Sequence, residues 1–144
     1  MPGENTEILD EVYKVCSMGA QAADLLLPKV EDSNMRNQIM SQLGNYEETE
    51  RRAKKLLTNK GKAPKEGSKP MQKAMLWGGI QMNTLADSSA GHLAEMMIQG
   101  TEMGIVDLQK RLNDLPEADS DSRKLAEDLI REEEKSIEQL KGML

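Results

Sequence analysis

Two glutamates, Glu50 and Glu133, interrupt stripes of apolar residues that recur every three or four positions. This spacing places each glutamate on the inward face of a predicted helix. A carboxylate held there needs a cation, a metal ion or a proton, because an unpaired buried charge costs roughly several kcal/mol of lost solvation. The inward positions are Met35, Ile39, Leu43, Tyr46, Glu50, Ala53 and Leu57 in one stripe, and Ala126, Ile130, Glu133, Ile137, Leu140 and Leu144 in the other.

Glu47 is a further candidate because it precedes Glu50 by three residues. Two carboxylates at this spacing share one side of a helix and can chelate a cation. The alternative is a solvated surface of ion pairs, since Arg51 and Arg52 follow in the same segment. The spacing leaves both interpretations of Glu47 open.

The elements that must position these carboxylates are predicted to be helices. The 144 residues include no Phe, one Trp, two Tyr and 11 Met. A core built from Met, Leu, Ile, Val and Ala suits helices better than strands. The length fits one domain, covering residues 1–144.

Four helices follow from the apolar periodicity, with Pro28 and Pro116 ending the first and third. The third is nearly twice as long as the others, so we expect a bend near Gly78-Gly79 or between Asp87 and Gly91. Asp32 or Ser33 is expected to cap the second helix, and Ser120 or Asp121 the fourth. The predicted spans are Thr6 to Leu27, Asp32 to Leu57, Pro70 to Leu115 and Ser120 to Leu144.

Two phrases, NYEETERRAKKL and LIREEEKSIEQL, resemble the E-x-x-H helices of the ferritin-like superfamily, which includes rubrerythrins and bacterioferritins. The resemblance implies an antiparallel four-helix bundle in which lone glutamates and E-x-x-H helices hold two iron or manganese ions. Matched position by position, Glu47 and Glu133 take the places of the motif glutamates. Glu50 and Ser136 stand where the motif has histidines. The lone-glutamate positions of the family fall near Gln21 and Glu102.

This pattern departs from the family at Gln21 and Ser136, which are not charged ligands. The chain also holds a single histidine, so one subunit cannot assemble a site with two. With these departures the pattern resembles small, uncharacterised bacterial members of the superfamily, and the resemblance implies a degenerate metal site.

The single histidine, His92, shares a polar stripe of the third helix with Glu95 and Glu102. His92 and Glu95 form a candidate metal-binding pair. The opposite stripe, which includes Leu93 and Met97, is the better core face, so a solvated face is the favoured interpretation of His92.

Charge and composition exclude several classes of function. A net charge of −6 argues against nucleic acid and anionic membranes as partners. Cys16 is the only cysteine, so no internal disulfide can form. No apolar run is long enough to cross a bilayer or resemble a signal peptide, and we expect a cytoplasmic protein.

Two functions remain open from the sequence. The first is a non-catalytic bundle without cofactor that binds a protein partner or forms a homo-oligomer such as a dimer, using Gly100, Gly104 and neighbouring methionines of the third helix. The alternative is an iron- or manganese-binding oxidase or metal-handling protein. Its carboxylate ligands would be Glu47, Glu50, Glu102 and Glu133.

Overall fold

The computed structural model describes residues 6–64, 87 and 89–144, and within these ranges the protein is all-helical without a strand. The prediction of an all-α protein with four helices is confirmed for this part of the chain. None of these helices is both long and apolar enough for a bilayer crossing. The helices are α1 (Glu7–Leu26), α2 (Ser33–Asn59), α3 (Ala90–Asp114) and α4 (Ser120–Lys141), and a 3-10 turn, Leu27–Lys29, joins the first two.

Side-chain caps set the starts of α2 and α4. The Asp32 carboxylate accepts a hydrogen bond from the Met35 backbone N–H at 2.8 Å, as predicted. At α4 the prediction of Ser120 or Asp121 is wrong, because Asp119 is the cap. Asp119 has extended backbone angles (φ −61°, ψ 151°), and its carboxylate accepts from the Ser122 N–H at 3.0 Å.

The third helix begins at Ala90, where the Ser89 hydroxyl accepts from the His92 backbone N–H at 3.3 Å. This start lies between Asp87 and Gly91, where a bend was one expectation. The other expected bend, at Gly78-Gly79, and the predicted start at Pro70 lie outside the described residues.

The helices pack in consecutive pairs, α1 along α2 and α3 along α4, and α1 also contacts both α3 and α4. Their buried apolar residues form two clusters. The large cluster contains Ile8, Leu9, Val12, Tyr13, Cys16, Tyr46, Ala53, Leu57, Leu108, Leu112, Leu125, Ala126, Leu129 and Ile130. The small cluster contains Ala23, Leu26, Val30, Met35, Ile39, Leu93, Ala94 and Leu140.

Buried polar residues separate the two clusters along every helix, and we call them the polar layer. Each is at most 6% exposed. Because each falls between a residue of one cluster and a residue of the other along its own helix, the core is apolar at both ends and polar in the middle. The polar layer consists of Ser17 on α1, Gln42 on α2, Thr101 on α3, and Glu133 and Ser136 on α4.

We expect Asp119→Ala to lower the free energy of unfolding by about 1–2 kcal/mol. The substitution removes the cap of α4 and an ion pair of 2.9 Å between the Asp119 carboxylate and Lys60 Nζ, which links the end of α2 to the start of α4. Urea unfolding followed by circular dichroism measures the loss. Asp121→Ala is the matched control, since exposed Asp121 makes no cap and should cost about 0.5 kcal/mol or less. Equal losses in the two variants would contradict this assignment.

Candidate functional site

The polar layer is centred on a hydrogen bond between α2 and α4. Tyr46 Oη donates to Glu133 Oε2 at 2.9 Å, and the two residues are 7% and 4% exposed. The Thr101 side chain of α3 is also hydrogen-bonded to the Tyr46 phenol. Three helices therefore meet in one short chain of polar groups, in surroundings of low dielectric that strengthen such bonds.

Two glycines make room for this pair. A Cβ atom at Gly19 of α1 would lie 2.6 Å from Cε2 and Cζ of the Tyr46 ring, so the ring packs directly on the helix backbone. A Cβ atom at Gly104 of α3 would lie 3.2 Å from Val15 Cγ1 and 3.9 Å from Glu133 Oε2. The absence of a side chain at Gly104 thus allows α3 to pack close to α1 inside the bundle.

Burial controls the protonation of the layer. It raises the pKa of Glu133 from 4.5 to about 7, against the opposing effect of the Tyr46 hydrogen bond. Burial and the neighbouring Glu133 also raise the pKa of Tyr46, so the phenol remains a neutral donor. The pKa of the Cys16 thiol is raised by burial, then by Glu133 and Glu50. Glu133 is therefore a buried group whose charge changes near neutral pH.

A cavity of about 640 Å³ lies between α1 and α3, and Gln42, Tyr46 and Glu133 line it. Lys14 and Met103 also line the cavity and are exposed, so it opens to solvent. Its walls are mainly apolar, and they include Met18, Ala22, Leu26, Met96, Met97 and Met103. The polar layer therefore reaches the inner wall of an otherwise apolar cavity.

The four predicted metal ligands differ in their exposure. Glu133 is buried, as its stripe predicts, and Glu50 is half-buried. Both raise the pKa of Cys16, so they affect the same part of the core. Glu47 and Glu102 are exposed on α2 and α3.

A metal centre is not supported by the part of the chain that the structure describes. It holds no group of three or more His, Cys, Asp and Glu side chains that could bind a metal ion. His92 is half-buried and Glu95 exposed. The carboxylate metal site of Glu47, Glu50, Glu102 and Glu133 therefore remains a prediction.

Periodicity alone missed three residues of the site. The apolar stripe predicts only that Tyr46 is buried, and it predicts no role for Gln42 or Thr101. A signal was present, because each lies near the middle of its helix among apolar residues that recur at helical spacing. Gly100, expected on the core face of α3, is exposed and lines the cavity.

Comparisons with known proteins identify no relative of this chain. No protein-family model matches the chain, and neither a curated protein nor a solved structure is significantly similar to it.

Glu133 should make stability depend on pH. Between 4.5 and about 7 the folded state holds the Glu133 proton more tightly than the unfolded state, so its contribution to the free energy of unfolding falls as pH rises through this window. We expect Glu133→Gln to become more stable relative to the natural protein by up to about 3 kcal/mol between about pH 5 and about pH 8.

Urea unfolding at the two pH values measures this difference. Glu134→Gln is the matched control, because exposed Glu134 also neighbours Glu133 in the sequence, does not contribute to its raised pKa and should leave the pH dependence unchanged. Parallel stability curves for Glu133→Gln and the natural protein would contradict the role of the buried carboxyl group.

Proposed function

We propose that the protein binds a small, largely apolar molecule in the cavity between α1 and α3, and that it acts through binding without catalysis. The observation that carries the proposal is an apolar cavity of about 640 Å³ with the buried polar pair Tyr46 and Glu133 in its wall. Small-molecule sites commonly have volumes of about 300–1,000 Å³ and combine apolar walls with a few placed polar groups.

The methionines of the cavity support a binding role. Met18 approaches from α1, and Met96, Met97 and Met103 from α3. A methionine side chain is unbranched and polarisable, so it adapts to the shape of an apolar ligand. A wall of this kind suits a ligand whose apolar body varies in shape.

The chemistry of Glu133 and of its neighbours Cys16 and Tyr46 supports binding over nucleophilic catalysis. The Cys16 thiol has a raised pKa and is buried, so it stays protonated and is a poor nucleophile. Tyr46 is likewise held neutral by burial and by Glu133. Glu133 therefore orients a bound group more readily than it activates a neighbouring side chain.

For the arrangement of the helices we propose an antiparallel, ferritin-like bundle. The large cluster takes residues from the first halves of α1 and α4 and the second halves of α2 and α3, and the small cluster takes the reverse. This distribution supports α1 and α4 running in one direction and α2 and α3 in the other. The number of residues between the end of α2 and the start of α3 is sufficient for the single crossover of ferritin-like bundles.

Self-association through α3 is the second way in which the bundle could act by binding. Met103 and Val106 are 69% and 50% exposed, which favours such a surface. A flat contact between copies would not use the buried Glu133, however, so the small-molecule proposal accounts for more of the site.

Filling the cavity should prevent ligand binding. Gly100 lines it, and a Cβ atom there would meet no other atom within 4 Å, so Gly100→Leu should place its side chain in the open space. With N-phenyl-1-naphthylamine, an uncharged fluorescent probe, we expect saturable binding by the natural protein and at least about tenfold weaker binding by Gly100→Leu.

Gly44→Leu is the matched control for this titration. Gly44 is exposed on α2, its added Cβ also meets open space, and it does not line the cavity. Its affinity for the probe should equal that of the natural protein. Absence of saturable binding, or equal weakening by the two substitutions, would overturn the proposed function.

A further inference from the structure

We infer that the ligand is an organic cation, an apolar body that carries a protonated amine, and that its charged group binds the Glu133 carboxylate. This inference rests on the proposed function, because it specifies the ligand of the same cavity. Three features support it: the free hydrogen-bond acceptor capacity of the carboxylate, the charges around the cavity, and the energetics of a carboxylate that is already buried.

The Glu133 carboxylate has capacity for a further donor. Its Oε2 atom accepts from Tyr46, whereas Oε1 has no hydrogen-bond partner among the described residues. An ionised carboxylate offers acceptor sites only, on both oxygens. Because Glu133 lines the cavity, a donor on a bound molecule can approach it. An ammonium group supplies such a donor together with the compensating charge.

The charges around the cavity also favour a cation. Among the described residues that line it, Glu11, Asp107 and Glu133 are acidic and Lys14 is basic. Glu11 already has a cationic partner, since its Oε1 accepts from Arg111 Nε at 3.2 Å, although its buried Oε2 has no hydrogen-bond partner among the described residues.

Lys14 does not compensate the negative charge of Glu133. It is exposed at the opening and forms no ion pair with Glu133. The exposed ammonium group of Lys14 remains solvated, as is usual for lysine at an apolar surface. A negative potential therefore remains at Glu133 and Asp107 to attract a cation and repel an anion.

The energetics of burial favour the same ligand. An ion pair formed inside a protein normally includes the desolvation of both partners, which offsets much of their attraction. Above the raised pKa of about 7, where Glu133 is ionised, its loss of solvation has already occurred on folding, because the residue is 4% exposed. A bound cation adds only its own desolvation and supplies a positive charge that compensates the carboxylate. A neutral ligand leaves the negative charge of the carboxylate uncompensated.

Three probes with the same aromatic body test the charge: 1-naphthylmethylammonium, 1-naphthylmethanol and 1-naphthoate. Each is titrated at about pH 8 and low salt against protein loaded with N-phenyl-1-naphthylamine, and its displacement is followed by fluorescence. We expect the cation to bind at least about tenfold more tightly than the alcohol, and the carboxylate to bind more weakly than the alcohol.

Two variants locate the effect. Glu133→Gln should reduce the affinity of the cation to within about threefold of that of the alcohol, and leave the alcohol unchanged. Glu132→Gln removes a neighbouring but exposed carboxylate and should retain the preference. Gly100→Leu should weaken all three probes together, because it occupies the cavity without changing its charge.

The outcomes separate this inference from the proposed function. Equal binding of cation and alcohol, or tighter binding of the carboxylate, would overturn the inference while leaving the cavity a ligand site. A cation preference that survives in Glu133→Gln would also overturn it. If none of the probes binds, the proposed function itself fails. Should Glu133→Gln not fold, the ratio of cation to alcohol affinity in the natural protein decides the matter.

Discussion

The hydrogen bond between Tyr46 and Glu133 is the constraint on which the middle of the bundle depends. A carboxylate in an apolar core is tolerated only where a donor reaches it. Sliding α2 against α4 by one turn would remove the phenol from Glu133 and move the carboxylate toward one of the two apolar clusters. The pair therefore favours one register of these two helices, much as a buried polar residue fixes register in a coiled coil.

The polar layer and the cavity share a common origin in small residues. Gly19 lets the Tyr46 ring lie on the backbone of α1, and Gly104 lets α3 approach Val15 without a side chain between them. At Gly100 the missing side chain instead leaves open space. Glycines at these positions thus leave room for the Glu133 carboxylate in the core and also give it access to the cavity.

The sequence predicts several features that depend on one helix at a time, although the cap of α4 lies one residue before the predicted positions. The burial of Glu133, the cap at Asp32 and the all-α class follow from periodicity and local hydrogen bonding. Features that depend on the rotation of one helix against another cannot be predicted from periodicity and local hydrogen bonding. Tyr46 meets Glu133 across α2 and α4, and the exposure of Glu47 and Glu102 shows that motif spacing alone does not fix where a carboxylate points. Leu144, assigned to the last stripe, is 68% exposed because α4 ends at Lys141.

Cys16 gives the bundle an internal reporter of its own opening. The thiol is fully buried in the large cluster, and its raised pKa keeps it from reacting with an alkylating reagent while the helices are closed. Since the chain has no other cysteine, the rate of alkylation records how often α1 separates from its neighbours. A molecule that binds between α1 and α3 should slow that rate, so occupancy of the cavity can be read from the chemistry of a single sulfur atom.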